Sequence, residues 1–237
     1  MLTESLTNSF IRRLEGDEIV TNFDCGDADL NDFIANEAQA YLKAKLAVTY
    51  VLCPNDNPSH AIAFCSLAND RVSMSDFENK TEFNRFRKHQ HFPQSKRMKS
   101  YPAVKLCRLA VDNSAKGMSA GSLLLDFIKT YFVTSNKTGC RFITVDAYIN
   151  AIPFYEKNGF LPLKSDDEDS DYTRLLYFDL NDIDQDYIYY SFMRGKGFIN
   201  IERACVNKVA TLFVHNTLIP TILGGGYCAQ RNSHNYR

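Results

Sequence analysis

The chain has 237 residues, of which 45% are hydrophobic and 23% charged, and its formal net charge at pH 7 is −1. This composition is that of a globular protein with one sizeable core, and at ~150 residues per domain the length suggests one domain with additions. No apolar run approaches the ~20 residues of a membrane span and no apolar block follows a basic head at the N-terminus, so we expect a cytoplasmic protein without membrane contact.

The first predicted element is a capped amphipathic helix that covers 23–34 and continues through Ala38, Tyr41 and Leu42. Two strand-like runs follow, one from Ala47 to Cys53 and one from His60 to Leu67. These patterns indicate a helix followed by two strands of a sheet.

The segment from Arg71 to Ser100 is predicted to be an insertion between strands, with some helical packing around Phe77, Phe83 and Phe86. It overlaps a basic segment, 85–105, that contains no acidic residue and in which cations alternate with aromatic residues: Arg85, Phe86, Arg87, Lys88, His89, His91, Phe92, Lys96, Arg97, Lys99, Tyr101 and Lys105. Such a mixture suits a phosphate backbone and splayed bases. A solvated loop is the alternative, and the net charge argues against wholesale nucleic-acid binding.

A strand from Arg108 to Asp112 is predicted to lead through a small-residue turn, 116–122, into a helix. Small side chains let the backbone approach an anion, and the free N–H groups at a helix start then point at it, so the turn suits a phosphate or pyrophosphate. Lys116 precedes its glycine, which fits neither the dinucleotide fingerprint nor the P-loop. Because serine resists positive φ, we expect a turn conformation that Ser119 tolerates.

The helix after this turn carries apolar residues at three- and four-residue spacing, whereas Asp126, Lys129 and Thr130 are expected to point away from that face. The apolar face consists of Leu124, Phe127, Ile128, Tyr131 and Phe132. This face is predicted to pack in the core and to hold the turn in place.

A β-branched strand from Phe142 to Tyr148 precedes a short helix predicted over 150–160. Asn150 or Ala151 lies near its start, Pro153 suits its first turn, and Gly159 suits the left-handed closing position. An acidic hairpin loop, 166–171, and a last strand from Tyr172 to Leu180 follow. We assign no function to 181–237, an extension whose apolar run ends at Gly224.

The seven cysteines are Cys25, Cys53, Cys65, Cys107, Cys140, Cys205 and Cys228, and they form no C-x-x-C pair. Their odd number and their positions in apolar runs favour free buried thiols in a reducing compartment. The histidines are scattered, so no metal site is expected.

Three motifs together resemble the GNAT superfamily of N-acetyltransferases. The turn at 116–121 is similar to its coenzyme A loop, Gln/Arg-x-x-Gly-x-Gly/Ala, with Lys116 and Ser119 as departures. Residues 150–160 match its Asn-x-x-x-x-Phe-Tyr-x-x-x-Gly-Phe pattern, in the order the family requires. The segment 23–34 resembles the opening of a GNAT branch that includes many toxin–antitoxin acetyltransferases.

The resemblance covers Phe10 to Leu180 and implies an α/β (α+β) acyl-CoA N-acyltransferase fold. Its central sheet is mixed and mostly antiparallel, is flanked by helices, and has two splayed central strands. The implied organisation is a GNAT domain over 1–180, with the basic insertion at 71–101, followed by the C-terminal extension.

The resemblance also implies acetyl-CoA as cosubstrate, bound by main-chain groups of the first splayed strand and of the turn. The implied coenzyme-binding residues are Leu109, Ala110, Val111, Lys116, Gly117, Met118, Ser119, Ala120, Gly121, Ser122 and Asn150. The oxyanion donor would be a backbone N–H near Val111. Asn150 could hydrogen-bond the pantetheine or cap the helix.

Tyr155 is the candidate general acid for the coenzyme A thiolate, because a phenol with an ordinary pKa of about 10 is protonated at neutral pH. The alternative is an aromatic side chain that only packs beside Phe154. Asp112, Asp146 and Glu156 are available as bases, but none stands out. An α-amine with a pKa near 7.8 is roughly one-seventh neutral at pH 7 and a lysine amine only about once in 2,500, so the absence of a base favours an α-amine.

The sequence leaves three functions open: an acetyl-CoA-dependent N-acetyltransferase acting on a primary amine, a toxin that acetylates the α-amine of aminoacyl-tRNA, and a non-catalytic coenzyme A-binding or interaction module. The toxin hypothesis adds tRNA, held by the basic segment, and a neutralising antitoxin as partners. A homodimer also stays open.

Overall fold

The computed structural model describes residues 6, 8–92, 98–134, 138–164, 172–184 and 187. Seven strands form one sheet in the order β1-β2-β3-β4-β5-β7-β6. Their bounds are Ser9–Arg13, Val48–Pro54, Ala63–Ser73, Ser100–Val111, Phe142–Tyr148, Leu161–Pro162 and Thr173–Asp179, for β1 to β7 in chain order. Only β4 and β5 run parallel; all other neighbours are antiparallel. The predicted mixed, mostly antiparallel sheet is confirmed.

Five helices flank this sheet in the part of the chain that the structure describes: α1 Ala28–Asp32, α2 Ala38–Lys43, α3 Lys80–His89, α4 Ala120–Thr134 and α5 Ile152–Lys157. A π-helical segment, Phe33–Glu37, joins α1 to α2. The Asp27 carboxylate accepts hydrogen bonds from the N–H groups of Asp29 and Leu30 and caps α1, so the helix predicted over 23–34 begins only at Ala28.

The two faces of the sheet carry different covers. Helices α4 and α5 pack on one face, called here the helix face, through residues such as Leu124, Ile128 and Tyr155. The opposite face is covered at one end by α1 and α2, where Phe33 belongs to a second apolar cluster. At its other end it is covered by α3, through Phe83. The middle of this second face lies between two separate apolar clusters.

The predicted insertion is shorter than expected. β3 and β4 pair continuously out to Ser73 and Ser100, so both ends of the 71–101 segment belong to the sheet. A 3₁₀ turn, Met74–Asp76, and helix α3 lie within the described part of the remainder. The helical packing of Phe77 with Phe83 and Phe86 is confirmed, with ring centroids 5.3 and 5.2 Å apart.

Two residues of α4 lie elsewhere than expected. Lys129 and Thr130 are buried instead of pointing away from the core. The Lys129 ammonium donates a hydrogen bond of 2.6 Å to the Asn158 carbonyl and lies 4.2 Å from the centroid of the Phe178 ring. Periodicity could not show this, because the end of α5 supplies the acceptor that a buried ammonium needs.

No helix in the described ranges is long and apolar enough to cross a membrane. The predicted acidic loop and Cys205 and Cys228 lie outside the described residues, as does the extension 181–237 apart from 181–184 and 187.

Gly159 closes α5 with φ +82°, and a Cβ there would lie 3.1 Å from Cε2 of Phe178. We expect Gly159→Ala to lower the free energy of unfolding by about 1–3 kcal/mol, because it adds both backbone strain and a clash. Gly139→Ala is the matched control, since a Cβ there meets nothing within 4 Å. Urea denaturation measures the free energy of unfolding of both variants. Equal losses would contradict a specific need for glycine at position 159.

Candidate active site

The two central strands are paired over only three residues each. Residues Ala103 to Lys105 of β4 pair with Phe142 to Thr144 of β5. β4 stays paired with β3 as far as Val111, and β5 stays paired with β7 along its whole length. Beyond the last parallel pair, the facing edges of β4 and β5 have no strand partner in the described structure. This is the predicted splay.

Leu109, Ala110 and Val111 line the open edge of β4. They pair with β3 on one side only. Backbone N–H and C=O groups on an unpaired edge are available to an extended ligand that adds itself as a strand. Backbone groups alternate between the two edges of a strand, and the Asp112 N–H donates to the Ile62 carbonyl of the neighbouring chain segment at 3.0 Å. Ala110, two residues before Asp112, therefore directs its groups to β3, and the geometry permits the implied main-chain role for Leu109 and Val111.

A tight turn joins β4 to α4. It runs through a 3₁₀ turn, Asn113–Ala115, and reverses at Gly117, whose φ is +80°. The Leu123 N–H donates to the Ser119 carbonyl at 3.0 Å, so the N–H groups of Ser119 to Ser122 come before the first helical hydrogen bond. The Met118 N–H donates to the Ala115 carbonyl at 3.3 Å. The 15-residue helix α4 directs the positive end of its dipole here. Such a helix start can bind a phosphate group.

Ser119 has φ +69°, in the left-handed region. The expectation that the turn would adopt a conformation serine tolerates without strain is therefore wrong. A non-glycine residue in this region costs about 1–2 kcal/mol. The chain accepts that strain at the residue immediately before α4.

The turn is fastened to the segment that precedes α1. The Asp112 carboxylate accepts a 2.8 Å hydrogen bond from the Asp24 N–H, and the Asn113 N–H donates to the Asp24 carbonyl at 2.8 Å. The Lys116 ammonium donates to the Cys25 carbonyl at 3.0 Å and remains exposed. An ammonium has three donors, so Lys116 can still contact an anion.

Gly121 brings three parts of the site together. A Cβ at this position would lie 3.1 Å from Cζ of Phe154 and 3.6 Å from Cδ2 of Leu109. The first turn of α4 therefore packs directly on α5 and on the open strand β4. The two sequence motifs, which are far apart in the chain, meet at this contact.

Tyr155 lies in α5 and is only 7% exposed. Its ring centroid is 5.1 Å from that of Phe154 and 5.5 Å from that of Phe160. Burial raises the pKa of the phenol to about 12, with a smaller contribution from Cys65. The phenol is thus protonated throughout the physiological range, although its pKa is higher than the ordinary value used in the sequence argument.

Asn150 lies in the 3₁₀ turn Ile149–Ala151 and is exposed. The N-cap of α5 is Ala151, and no side chain caps that helix. The capping alternative for Asn150 is therefore wrong. Its carboxamide is left available to a ligand.

The three carboxylates considered as bases have different environments. Burial opposes the charge on Asp112, but hydrogen bonds from the Asp24 N–H and from Ser114 outweigh it and lower the pKa of this carboxyl. Asp146 forms an ion pair with Lys105, and Glu156 is exposed. Asp112 is thus a structural residue of the turn.

The described cysteines, Cys25, Cys53, Cys65, Cys107 and Cys140, are free. Cys107 is exposed, which contradicts the expectation of burial. It is the extra residue of a β-bulge, because Ser66 pairs with Arg108 while Leu67 pairs with Leu106. No group of three metal-binding side chains occurs in the part of the chain that the structure describes.

The basic segment is split by the fold. Arg85, Lys88 and His89 are exposed on α3, whereas Lys105 is engaged with Asp146. The aromatic residues pack on other rings. The ring centroids of Phe92 and Tyr101 are 3.8 Å apart in a stack, and those of Phe86 and Phe142 are 5.6 Å apart. They are not free to stack on bases. Residues 93–97 lie outside the described structure.

Sequence reasoning missed a set of polar residues in the middle of the sheet. The Thr144 hydroxyl is hydrogen-bonded to the Asp70 carboxylate, and the Arg108 guanidinium lies 3.9 Å from the centroid of the Phe33 ring. The alternation of side chains along a strand could have indicated the position of Asp70. It falls on the same face of β3 as the buried residues Phe64 and Ser66.

Residues 94–175 match the sequence model of the acetyltransferase (GNAT) domain. Several solved structures share the fold. A tyrosine-to-phenylalanine mutant of the toxin AtaT, bound to acetyl-CoA and to the C-terminus of the antitoxin AtaR, is 23% identical with a TM-score of 0.56, over 78% of this chain and 98% of that one. A tyrosine-to-phenylalanine mutant of KacT is 22% identical with a TM-score of 0.59, over 73% and 96%.

AtaT complexed with acetyl-methionyl-tRNAfMet is a third similar structure, 23% identical with a TM-score of 0.56 over 73% of this chain and 95% of that one. Together with the domain match, these structures confirm the resemblance to GNAT acetyltransferases that the motifs predict. The chain has the GNAT fold.

We expect Ser119→Gly to raise the free energy of unfolding by up to about 1 kcal/mol, because glycine removes the strain of the left-handed conformation. Ser122→Gly is the control: it makes the same substitution inside α4, where glycine lowers helix propensity, and should cost about 0.5 kcal/mol. Urea denaturation distinguishes the opposite signs. A loss of stability in Ser119→Gly would refute the strain.

Proposed function

We propose that the chain transfers an acetyl group from acetyl-CoA to a primary amine by direct attack. The observation that carries this proposal is the open edge of β4, which runs into the turn and the start of α4. The domain match over 94–175 and the AtaT structure with acetyl-CoA support it.

The residues present fit the coenzyme. Diphosphate needs N–H donors, and the residues Ser119 to Ser122 carry them at the positive end of a 15-residue helix. The N–H groups of Lys116 and Met118 are already donated to the carbonyls of Asn113 and Ala115. Pantetheine carries amides, which suit the backbone groups that Leu109 and Val111 direct to the open edge. The exposed carboxamide of Asn150 adds a polar group beside the opening.

Acetyl-CoA, when bound, supplies the activated thioester. A backbone N–H near Val111 is the proposed donor to the negative charge that develops on the carbonyl oxygen. Tyr155 holds the proposed acidic proton: burial keeps its phenol protonated, and the packing of Gly121 on neighbouring Phe154 links it to the turn. No carboxylate is assigned as base, which favours an acceptor with an α-amine.

Tyr155→Phe is expected to lower kcat by ~10²- to 10⁴-fold, because it removes the acidic proton and keeps the ring. The dissociation constant of acetyl-CoA, measured by calorimetry, should not change. Tyr148→Phe makes the same substitution at a residue 56% exposed at the end of β5, and should leave kcat unaltered. Thiol release with a panel of methionyl-tRNA, a short peptide and spermidine measures the rates.

Full activity of Tyr155→Phe would show that Tyr155 is only a packing residue. Binding of acetyl-CoA without turnover of any amine would instead favour a non-catalytic coenzyme A-binding module.

A second candidate is a toxin that acetylates the α-amine of aminoacyl-tRNA. The complex of AtaT with acetyl-methionyl-tRNAfMet, and the exposed cations of α3, favour it. Arg85 and Lys88 are three residues apart and so lie on one face of that helix. An antitoxin would be the corresponding protein partner, as AtaR is for AtaT.

The double variant Arg85→Gln/Lys88→Gln is expected to raise the KM for methionyl-tRNA about 10-fold at low salt and to weaken its salt dependence, because two phosphate contacts are lost. Acetylation of the peptide should be unchanged. Equal KM values of the variant and the wild-type chain for tRNA would show that α3 does not bind tRNA.

Expression of the chain alone should arrest growth, and Tyr155→Phe should relieve the arrest. Unaffected growth at good expression would contradict a toxin.

A further inference from the structure

A strip of polar side chains crosses the face of the sheet opposite α4 and α5. It lies between the cluster under α1 and α2 and the cluster under α3. Strand parity and register place six polar residues on this face: Ser66, Asp70, Lys105, Arg108, Thr144 and Asp146. We call these residues the polar strip.

The Lys105–Asp146 ion pair lies where the central strands separate. Lys105 belongs to the last parallel pair, with Thr144, and Asp146 is two residues further along β5 on the same face. The pair therefore spans from β4 to β5 at the narrow end of the opening. Its side chains are 35% and 48% exposed, so a solute can reach both charges.

The other charges of the strip already have partners. Thr144 donates its hydroxyl hydrogen to the Asp70 carboxylate. Arg108 packs its guanidinium on the Phe33 ring and lies 3.9 Å from the Glu37 carboxylate. Half-exposed ion pairs such as Lys105–Asp146 are weak, because water competes for both charges. Of the two carboxylates in the polar strip, Asp70 accepts from a hydroxyl and Asp146 pairs with a cation. The cation on Asp146 is therefore the one that an acceptor can replace.

Beside the splay, the described part of the helix face is apolar and covered. There α4 and α5 close over the sheet, and Leu124, Ile128, Val145, Ala147 and Tyr155 form one buried cluster. A polar molecule that enters from that side must displace this core, whereas one that enters across the polar strip meets charged, accessible groups. The Ser66 hydroxyl, fully buried and without a hydrogen-bond partner in the described structure, adds an unsatisfied polar group beside the bulge.

We propose that the acceptor enters across the polar strip and that its ammonium group replaces the ammonium of Lys105 on the Asp146 carboxylate. This inference rests on the proposed function and adds to it the acceptor's route and the residue that recognises it. The substrate class is a primary amine that arrives protonated, loses a proton to water at the exposed strip, and attacks the thioester in its neutral form. Lys105 occupies the subsite until the acceptor comes and competes with it.

Competition predicts opposite effects of the two substitutions. Asp146→Asn removes a charge-assisted hydrogen bond and should weaken the binding of alanine methyl ester, a small α-amine without phosphate, by about 10- to 100-fold. Lys105→Met removes the competitor and keeps the length of the side chain, so it should tighten that binding. Calorimetry with the chain saturated by coenzyme A gives both dissociation constants, and the KM for the ester is the kinetic readout.

The double variant Lys105→Met/Asp146→Asn should bind the ester like Asp146→Asn alone, since Lys105 then has nothing to compete for. If the ion pair only clasps the strands, both single variants will lower the free energy of unfolding and neither will change ester binding. That outcome overturns the inference, as does a lack of ester binding by the wild-type chain. Failure of the wild-type chain to bind acetyl-CoA would instead overturn the proposed function, and the inference with it.

Discussion

The separation of β4 from β5 after three parallel pairs is the constraint on which the site depends. Both strands are committed on their outer edges, β4 to β3 and β5 to β7, so neither can move to close the gap without losing a longer ladder. The bulge at Cys107 lies just beyond the last parallel pair and bends β4 there. The opening is therefore built into the backbone, and side chains decide only what lines it.

The turn before α4 holds its shape because a distant segment fastens it. Asp112 and Asn113 bond to Asp24, and Lys116 bonds to the carbonyl of Cys25. These contacts join the segment 23–34 to the turn at 116–122, two sequence motifs that lie about 90 residues apart. They also supply the free energy that keeps Ser119 in the left-handed region, where serine alone would not stay.

Local patterns in the sequence predicted the parts of the site that depend on neighbouring residues. The order of strand, turn and helix around 108–122, the strand from Phe142 to Tyr148 and the closing glycine Gly159 all follow from spacing and backbone chemistry. The errors concern residues whose state depends on distant partners. Lys129 is buried because α5 offers it a carbonyl, and Phe92 is unavailable to bases because it stacks on Tyr101.

The polar strip shows the same limit from the other side. The neighbours of Lys105 in the sequence place it in a basic segment. In the sheet, however, it pairs with a carboxylate 41 residues away. Asp70 gave a signal in its parity, yet only the register of β3, β4 and β5 shows that it lies beside Thr144. Residues that act through tertiary neighbours cannot be assigned from composition alone.

The burial of Tyr155 bears on its chemistry in a way that the ordinary pKa conceals. A phenol with a pKa of about 12 is a poor acid toward a thiolate in water, whose thiol has a pKa of about 8.5. Burial in the same core has this effect on a thiol too, because it raises the pKa of Cys65 to about 12. In the proposed reaction, exclusion of water around the departing thiolate would likewise raise its basicity and bring it closer to that of the Tyr155 phenolate. In the proposed reaction, exclusion of water on the helix face would favour proton transfer from Tyr155, and access to water at the polar strip would let a charged amine approach.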